Sequence, residues 1–185
     1  MPLTLETPSR ALLPGYVAAL ERGWSPDNLR AAVAGEQLEQ IAQDADAFVA
    51  SLDDPDAKAG PVTLPDGSQV ARLPGFVRWM WDGAFCGSIG LRWSPGSSEL
   101  PPHVLGHIGY GVVPWKRGQG YATRALALLL PLARERGLAH VYLTTDLDNV
   151  ASQKSVLANG GVLVGRFAKA AAYGGADSLK YKIDL

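Results

Sequence analysis

The stretch "VPWKRGQGYATRALALLLPLARE", Val113 to Glu135, restricts the fold more than any other part of the chain. A β-like run ends at Pro114, a basic Gly-x-Gly turn follows, and an aliphatic helical pattern starts without a break. Two familiar explanations fail on spacing. A nucleotide-triphosphate loop closes on Gly-Lys-Ser/Thr, which does not occur here. The dinucleotide fingerprint G-x-G-x-x-G fails because Thr123 stands where its third glycine belongs.

Helical periodicity after the turn puts Ala122, Leu126, Leu129, Leu130 and Ala133 on one broad face, as expected of a helix covering a sheet. Pro131 inside that pattern predicts a bend, and Gly137 a terminator. Upstream, "GFVRWMWDG", "AFCGSIGLRW" and "HVLGHIGYGVVP" alternate as three successive strands, with Asp82-Gly83 as a tight hairpin. Downstream, "AHVYLTT" reads as a strand and Asn149 to Ala158 as a short helix, with "VLVGRFAK" and "SLKYKIDL" as a closing strand pair. Near the N-terminus, Leu3 to Glu6 predicts an edge strand. Helices follow, interrupted at Gly23 and Gly35, with Ser25 as an N-cap and Pro26 in a first turn. Asp53 to Gly67 reads as a loop, and "SPGSSELPP" as a longer connection near a cleft. The pattern implies an α+β fold: a central, mixed but mainly antiparallel sheet flanked by helices, with one crossover helix.

At 185 residues this is one domain, 1–185, with room for a sizeable core. A formal net charge of -1 lacks the concentrated basic face of a nucleic-acid binder, yet leaves room for a small polyanion held locally. Trp79, Trp81 and Trp93 therefore read as core or pocket wall rather than base-stacking platforms. The single Cys86 excludes a disulfide framework and a cysteine-rich zinc site, and reads as a small packing residue. With three histidines and no compact carboxylate cluster, no catalytic metal is expected. The N-terminus lacks a secretion signal, and the richest aliphatic run is about half the length needed to cross a bilayer. A cytoplasmic location without membrane association is the expectation.

The turn itself suggests an anion site. Gly118 and Gly120 permit unusual dihedrals and close backbone approach. The helix they open begins with amide N–H groups that have no intrahelical partner, at the positive end of the helix dipole. Gln119, Gly120, Tyr121 and Ala122 are the amide donors for a diphosphate; Lys116 and Arg117 add charge at the rim.

"RGQGYA", Arg117 to Ala122, matches the Arg/Gln-x-x-Gly-x-Gly/Ala signature of the GCN5-related N-acetyltransferases, and the chain resembles that family. The likeness is strong over Gly106 to Gly165, through "LTTDLDNVASQKSVLANGGVLVG", and coarser over Phe76 to Leu185. It is similar to bacterial members of unassigned substrate. The resemblance implies acetyl transfer from acetyl-CoA to an amine of a small molecule or peptide, in a monomer or homodimer. Residues 104–165 would form the acetyl-CoA-binding core and residues 8–60 a helical acceptor-side region, with Trp24, Phe48 or Tyr16 on its wall. The diphosphate would sit on Arg117 to Ala122, and the pantetheine arm would bond like an added strand near Val112 and Val113. Asn149 matches the family's cofactor-contacting asparagine, or is simply a helix cap; Ser152 lies one turn on. Lys154 reads as a solvated lysine or an adenosine-end phosphate contact.

One departure concerns the chemistry. Many members carry a proton-donating tyrosine seven residues beyond the asparagine, where this chain has Val156. That role is vacant, moved or taken by water; Tyr173, Tyr181 and Tyr110 are candidates by residue type. His107 is the side chain best suited as base or acceptor contact, because histidine titrates near neutrality and strand alternation puts Gly109 and Gly111 on the same face, leaving room for a ligand. Packing against a neighbouring loop is its alternative. Glu99, His103 and Asp146 are candidate acceptor contacts. The competing functional reading is a non-catalytic acyl-CoA-binding sensor or regulatory module.

Overall fold

The computed structural model describes residues 2–28, 30–64, 67–169 and 175–185. β1 (Thr4–Glu6) leads into α1 (Leu13–Glu21), α2 (Val33–Gln43) and α3 (Ala45–Ser51), then β2 (Asp53–Asp54) and a small hairpin of β3 (Val62–Thr63) and β4 (Gln69–Val70). The helical breaks differ from those the sequence predicts. Gly35 lies inside α2, and the break falls at Asp44 instead, whose carboxylate caps α3 by accepting from the amides of Asp46 and Ala47. Ser25 does not start a helix. Its hydroxyl accepts from the Asp27 amide and donates to the Arg30 carbonyl, so local bonds hold the chain as a turn.

β5 (Gly75–Trp81), β6 (Phe85–Arg92) and β7 (Ile108–Val112) form within the three predicted segments and pair antiparallel in sequence order, although β6 is buried along nearly its whole length rather than on one face. β1 and β2 join along β5, giving a first sheet ordered β1-β5-β6-β7. α4 (Tyr121–Glu135) crosses to β8 (His140–Asp146); α5 (Val150–Leu157), β9 (Val162–Ala168) and β10 (Asp177–Asp184) complete a second sheet ordered β8-β10-β9. This is a mixed α/β fold with a central antiparallel sheet flanked by helices, as expected. Pro131 lies inside α4 without ending it, and Gly137 (φ 81°) follows its C-terminus.

Hydrophobic burial occurs on both sides of the first sheet. Ala125, Leu126, Leu129 and Ala133 of α4 are fully buried in a cluster with Met80, Ile89 and Ile108 of the first sheet and Val141, Leu143, Tyr181 and Ile183 of the second. On the opposite side, Tyr16 stacks on Trp79 at 4.9 Å within a second cluster that includes Trp24, Phe48 and Phe85. Removing these large rings from water is a main driving force for docking the N-terminal helices.

Hydrogen bonds tie the segment just before β7 to β8. The His107 amide donates to the Tyr142 carbonyl (2.8 Å), and the Tyr142 amide donates to His107 Nδ1 (2.9 Å). The approach is close: a Cβ on Gly106 would lie 3.0 Å from the Tyr142 carbonyl oxygen. Among the described strands, no ladder then joins β7 to β8. His107 O and Val113 N–H both bond toward β6, so by alternation the backbone groups of Tyr110 and Val112 face the unpaired edge.

Candidate active site

A short 3-10 turn, Pro114–Lys116, leads from β7 to the glycine turn. Gly118 (φ 75°) and Gly120 (φ 74°) both occupy the left-handed region, which side chains with a Cβ enter at a cost. Gly120 is the N-cap of α4, and no side chain caps that end. The first-turn amides, including Tyr121 and Ala122, therefore emerge at an exposed helix terminus of positive potential. Arg124 Nη2 donates to the Gln119 carbonyl at 2.6 Å and braces the turn from the helix side.

The two basic residues do not stand at the rim as the sequence suggests. Lys116 turns inward and places Nζ 2.5 and 2.7 Å from the two Asp82 carboxylate oxygens. Tyr121 Oη also donates to Asp82, at 2.5 Å. Burial pushes the Asp82 carboxyl up, but the bonds from Lys116 and Tyr121 outweigh it and hold the group well below the usual carboxylate range. The same hairpin holds Cys86, a buried thiol pushed up to about 11 by burial and then by its bond to Asp82. The sequence marks Asp82 only as a turn residue, because its partners lie in a distant segment. Arg117 folds back instead, its Nε donating to the Val112 carbonyl at 3.1 Å.

The edge of β7 supplies the second part of the site. Val113 spends its amide on the Cys86 carbonyl and is fully buried, so of the two expected strand contacts only Val112 faces the open edge. Side chains already occupy two edge carbonyls: Arg117 holds Val112, and Asn28 Nδ2 donates to Tyr110 at 3.3 Å. A cavity of about 280 Å³ adjoins this edge, lined by Trp24, Asp27, Asn28 and Arg117 among others.

α5 closes the other side. Asn149 is its N-cap, with Oδ1 accepting from the Ser152 amide at 3.1 Å. Ser152 Oγ lies 2.7 Å from Tyr110 Oη, a bond that spans from β7 to α5. Burial pushes the Tyr110 phenol up, against the lowering effect of that bond. Val156, one turn beyond Ser152, is fully buried.

Several sequence candidates are placed elsewhere. His107 is fully buried between the sheets, with Nδ1 engaged by a backbone amide, so it packs and bridges rather than facing a ligand. Its Nε2 has no partner, and burial, reinforced by His140, pushes the imidazole down to about 4. Tyr181 is likewise a core residue opposite Leu143 on β8. Glu99 accepts from Tyr142 Oη at 3.2 Å and meets His140 Nε2 at 3.1 Å, while His103 is half-buried in the same connection. Asp146, at the far end of β8, is held by Lys169 and by Ser178 at 3.1 Å. The Lys169 bond, against opposing burial, keeps its carboxyl low. These three do not form one cluster with the glycine turn. Tyr173 lies outside the described residues. Among those residues no group of three or more metal-ligating side chains occurs, and no helix is long and apolar enough to cross a membrane.

Two outcomes follow from this geometry. The unfolded His107 takes up a proton near its ordinary pKa of about 6.5, whereas the folded one refuses it until about 4. Stability is therefore lost as pH falls through that window, by about 2 kcal/mol between pH 7 and 5 from this group. Urea unfolding of His107→Gln should show a shallower acid slope than wild type; equal slopes would contradict the bridging role. Asp82→Asn should lower stability by about 2 kcal/mol, since it unpairs Lys116 and weakens the tie to Tyr121. Its coenzyme A affinity should fall as the turn loosens, read by calorimetry beside denaturant unfolding.

Comparison with known proteins agrees with this arrangement. The acetyltransferase (GNAT) family profile matches residues 36–156. No curated protein sequence matches the chain. Among solved structures, RimL, the ribosomal L7/L12 alpha-N-protein acetyltransferase in complex with coenzyme A, superposes with a TM-score of 0.67 at 15% identity, covering 99% of this chain and 94% of that one. The microcin C7 self-immunity acetyltransferase MccE, bound to acetyl-CoA and AMP, gives 0.59 at 15% identity over 99% and 92%. A GNAT-family acetyltransferase from Bordetella pertussis gives 0.57 at 19% identity over 97% and 94%. At such identities the structures establish shared fold alone, and the profile establishes descent: this chain belongs to the acetyltransferase (GNAT) family.

Proposed function

We propose that this protein transfers the acetyl group of acetyl-CoA to a primary amine of a small molecule or peptide by direct attack. The observation that carries this reading is an uncapped helix terminus, opened by two left-handed glycines, at the end of a strand whose edge is unpaired. Acetyl-CoA supplies an activated acyl group and a thiolate leaving group. The amides of Gln119 to Ala122 hold the diphosphate, with Arg117 released to join them. The Tyr110 and Val112 backbone groups accept the arm as an added strand, in exchange for their bonds to Asn28 and Arg117. Asn149 and Ser152 flank the same slot from α5.

The transfer forms an N–C bond, breaks the C–S bond, removes one proton from the amine and delivers one to sulfur. Val156 donates nothing. One turn toward the N-terminus of α5, the hydrogen-bonded hydroxyls of Ser152 and Tyr110 offer a protic pair for that delivery. With His107 buried, the amine's proton leaves through water. A second reading, a module that binds acyl-CoA without turnover, draws on Val156 at the usual acid position.

Incubation with acetyl-CoA and a broad amine panel, scored by thiol release and acetylated product, separates the two. Coenzyme A binding without amine-dependent release would assign the binding module. Gly120→Val should weaken coenzyme A binding at least tenfold in calorimetry and cost about 1–2 kcal/mol of stability through its left-handed dihedral; unchanged affinity in a folded variant would remove the diphosphate site. Tyr110→Phe and Ser152→Ala should each lower kcat by about tenfold or more while coenzyme A affinity changes little. Wild-type turnover in both variants would exclude this pair as the proton source.

A further inference from the structure

We infer that the outer edge of β9 is an interface between two copies of this chain, paired antiparallel about a two-fold axis at Leu163. β9 is the last strand of the second sheet, ordered β8-β10-β9, and among the described strands none pairs with its other edge. Residues Val162 to Arg166 are all exposed. Val162, Leu163 and Val164 are 63%, 52% and 50% exposed, and Leu157, at the end of the helix that leads into the strand, is 54% exposed. Long apolar edges template association, and folded chains ordinarily blunt them with charge, proline or shortness. β1, at the edge of the first sheet, has only three residues. β9 has seven, no proline, and a single charge, Arg166, which is paired with Asp177 of β10.

Apolar exposure alone does not choose a partner; the order of residues along the strand does. Gly161-Val162-Leu163-Val164-Gly165 reads the same in both directions. A hydrogen-bonded ladder between one strand edge and its own copy is two-fold symmetric only when the strands run antiparallel. With the axis at Leu163, Val162 meets the second copy's Val164, Leu163 meets its own equivalent and Gly161 meets Gly165. Side chains of like size and polarity then stand opposite one another. The same register sets Arg166 against Gly160, so neither guanidinium faces the other.

The fold of one copy gives no reason for Gly165. It lies outside the left-handed region, and a Cβ there would meet nothing within 4 Å. A glycine inside a strand often marks the close approach of another backbone. Gly161, by contrast, is required by its own chain, where a Cβ would lie 2.4 Å from Val156 Cγ1. The four apolar side chains expose on the order of 350 Å² per copy, as much as the largest apolar patch of a typical monomer. Covering them in both copies removes up to about 700 Å² before the backbone and Arg166 are counted, which brings the contact toward the roughly 1,000 Å² of a specific interface.

Sedimentation of the full chain tests the pairing. Wild type should be a dimer at tens of micromolar. Leu163→Lys sets a cation against its own copy at the axis and should raise the dimer dissociation constant at least hundredfold. Circular dichroism should show an unchanged fold, because Leu163 is already half exposed. A cysteine reads the register. Directly opposed antiparallel residues have Cα atoms about 4.5–5.5 Å apart, within disulfide reach. Leu163→Cys should therefore oxidise to a covalent dimer, while Val150→Cys, 51% exposed on α5, should remain a single chain; the native Cys86 is buried and does not compete. A wild type that sediments as a single copy would overturn the inference, and so would a Leu163→Lys dimer of wild-type affinity. If Leu163→Lys fails to fold, the cysteine pair decides: cross-linking of Leu163→Cys no faster than that of Val150→Cys would overturn the pairing.

Discussion

The bonds between His107 and Tyr142 determine how this molecule is open. They tie the start of β7 to β8, and beyond them the two strands part along the edge that carries Tyr110 and Val112. A longer ladder between β7 and β8 would satisfy the edge groups of Tyr110 and Val112 internally and leave a ligand nothing to pair with. A missing one would let the second sheet drift from the first. Burying a neutral imidazole to accept a backbone bond is the device that ends the ladder at that point. It has a cost: Nε2 remains unpartnered in the core, and the group gives up its titration near neutrality.

A second constraint works on the glycine turn. An uncapped helix terminus is a poor structural element by itself, because its amides find no partners in the protein. Here the turn is held from outside by the Asp82 carboxylate, which ties Lys116 and Tyr121 back to the β5–β6 hairpin. Arg124 braces it from the helix. The amides can then remain open while the backbone around them is fixed, which is the preorganisation that anion binding needs. The charge that the sequence offers at the rim is thereby spent on structure, and the backbone is left as the principal donor.

The side chains on the edge of β7 show how an unliganded site keeps its polar groups satisfied. Asn28 and Arg117 donate to the two carbonyls that the arm of the cofactor would use. Both can be exchanged without unfolding anything, since each is an exposed hydrogen bond from a side chain. Arg117 belongs to the glycine turn and Asn28 to the loop after α1, so two separate segments cover one strand edge.

Local chemistry was enough for much of this. The three-strand run, the hairpin at Asp82-Gly83, the glycine turn, the crossover helix and the family signature all depend on residues near one another in the chain, where periodicity and dihedral preference act directly. The helix cap at Asn149 was legible for the same reason. What the sequence could not settle were choices between bonds of similar worth offered by segments far apart. His107 had the right residue type and strand face for a base, but the close approach allowed by Gly106 turned it to the Tyr142 backbone. Lys116 had the right position for a phosphate, but Asp82, far upstream, captured it. Ser25 could cap a helix, yet nearby turn bonds were equally available. The missing acid at Val156 was visible in the sequence, whereas the Tyr110–Ser152 pair beside it appeared only when β7 and α5 were brought together. Residue type determined which chemistry each group was capable of; packing decided which groups were left free to perform it.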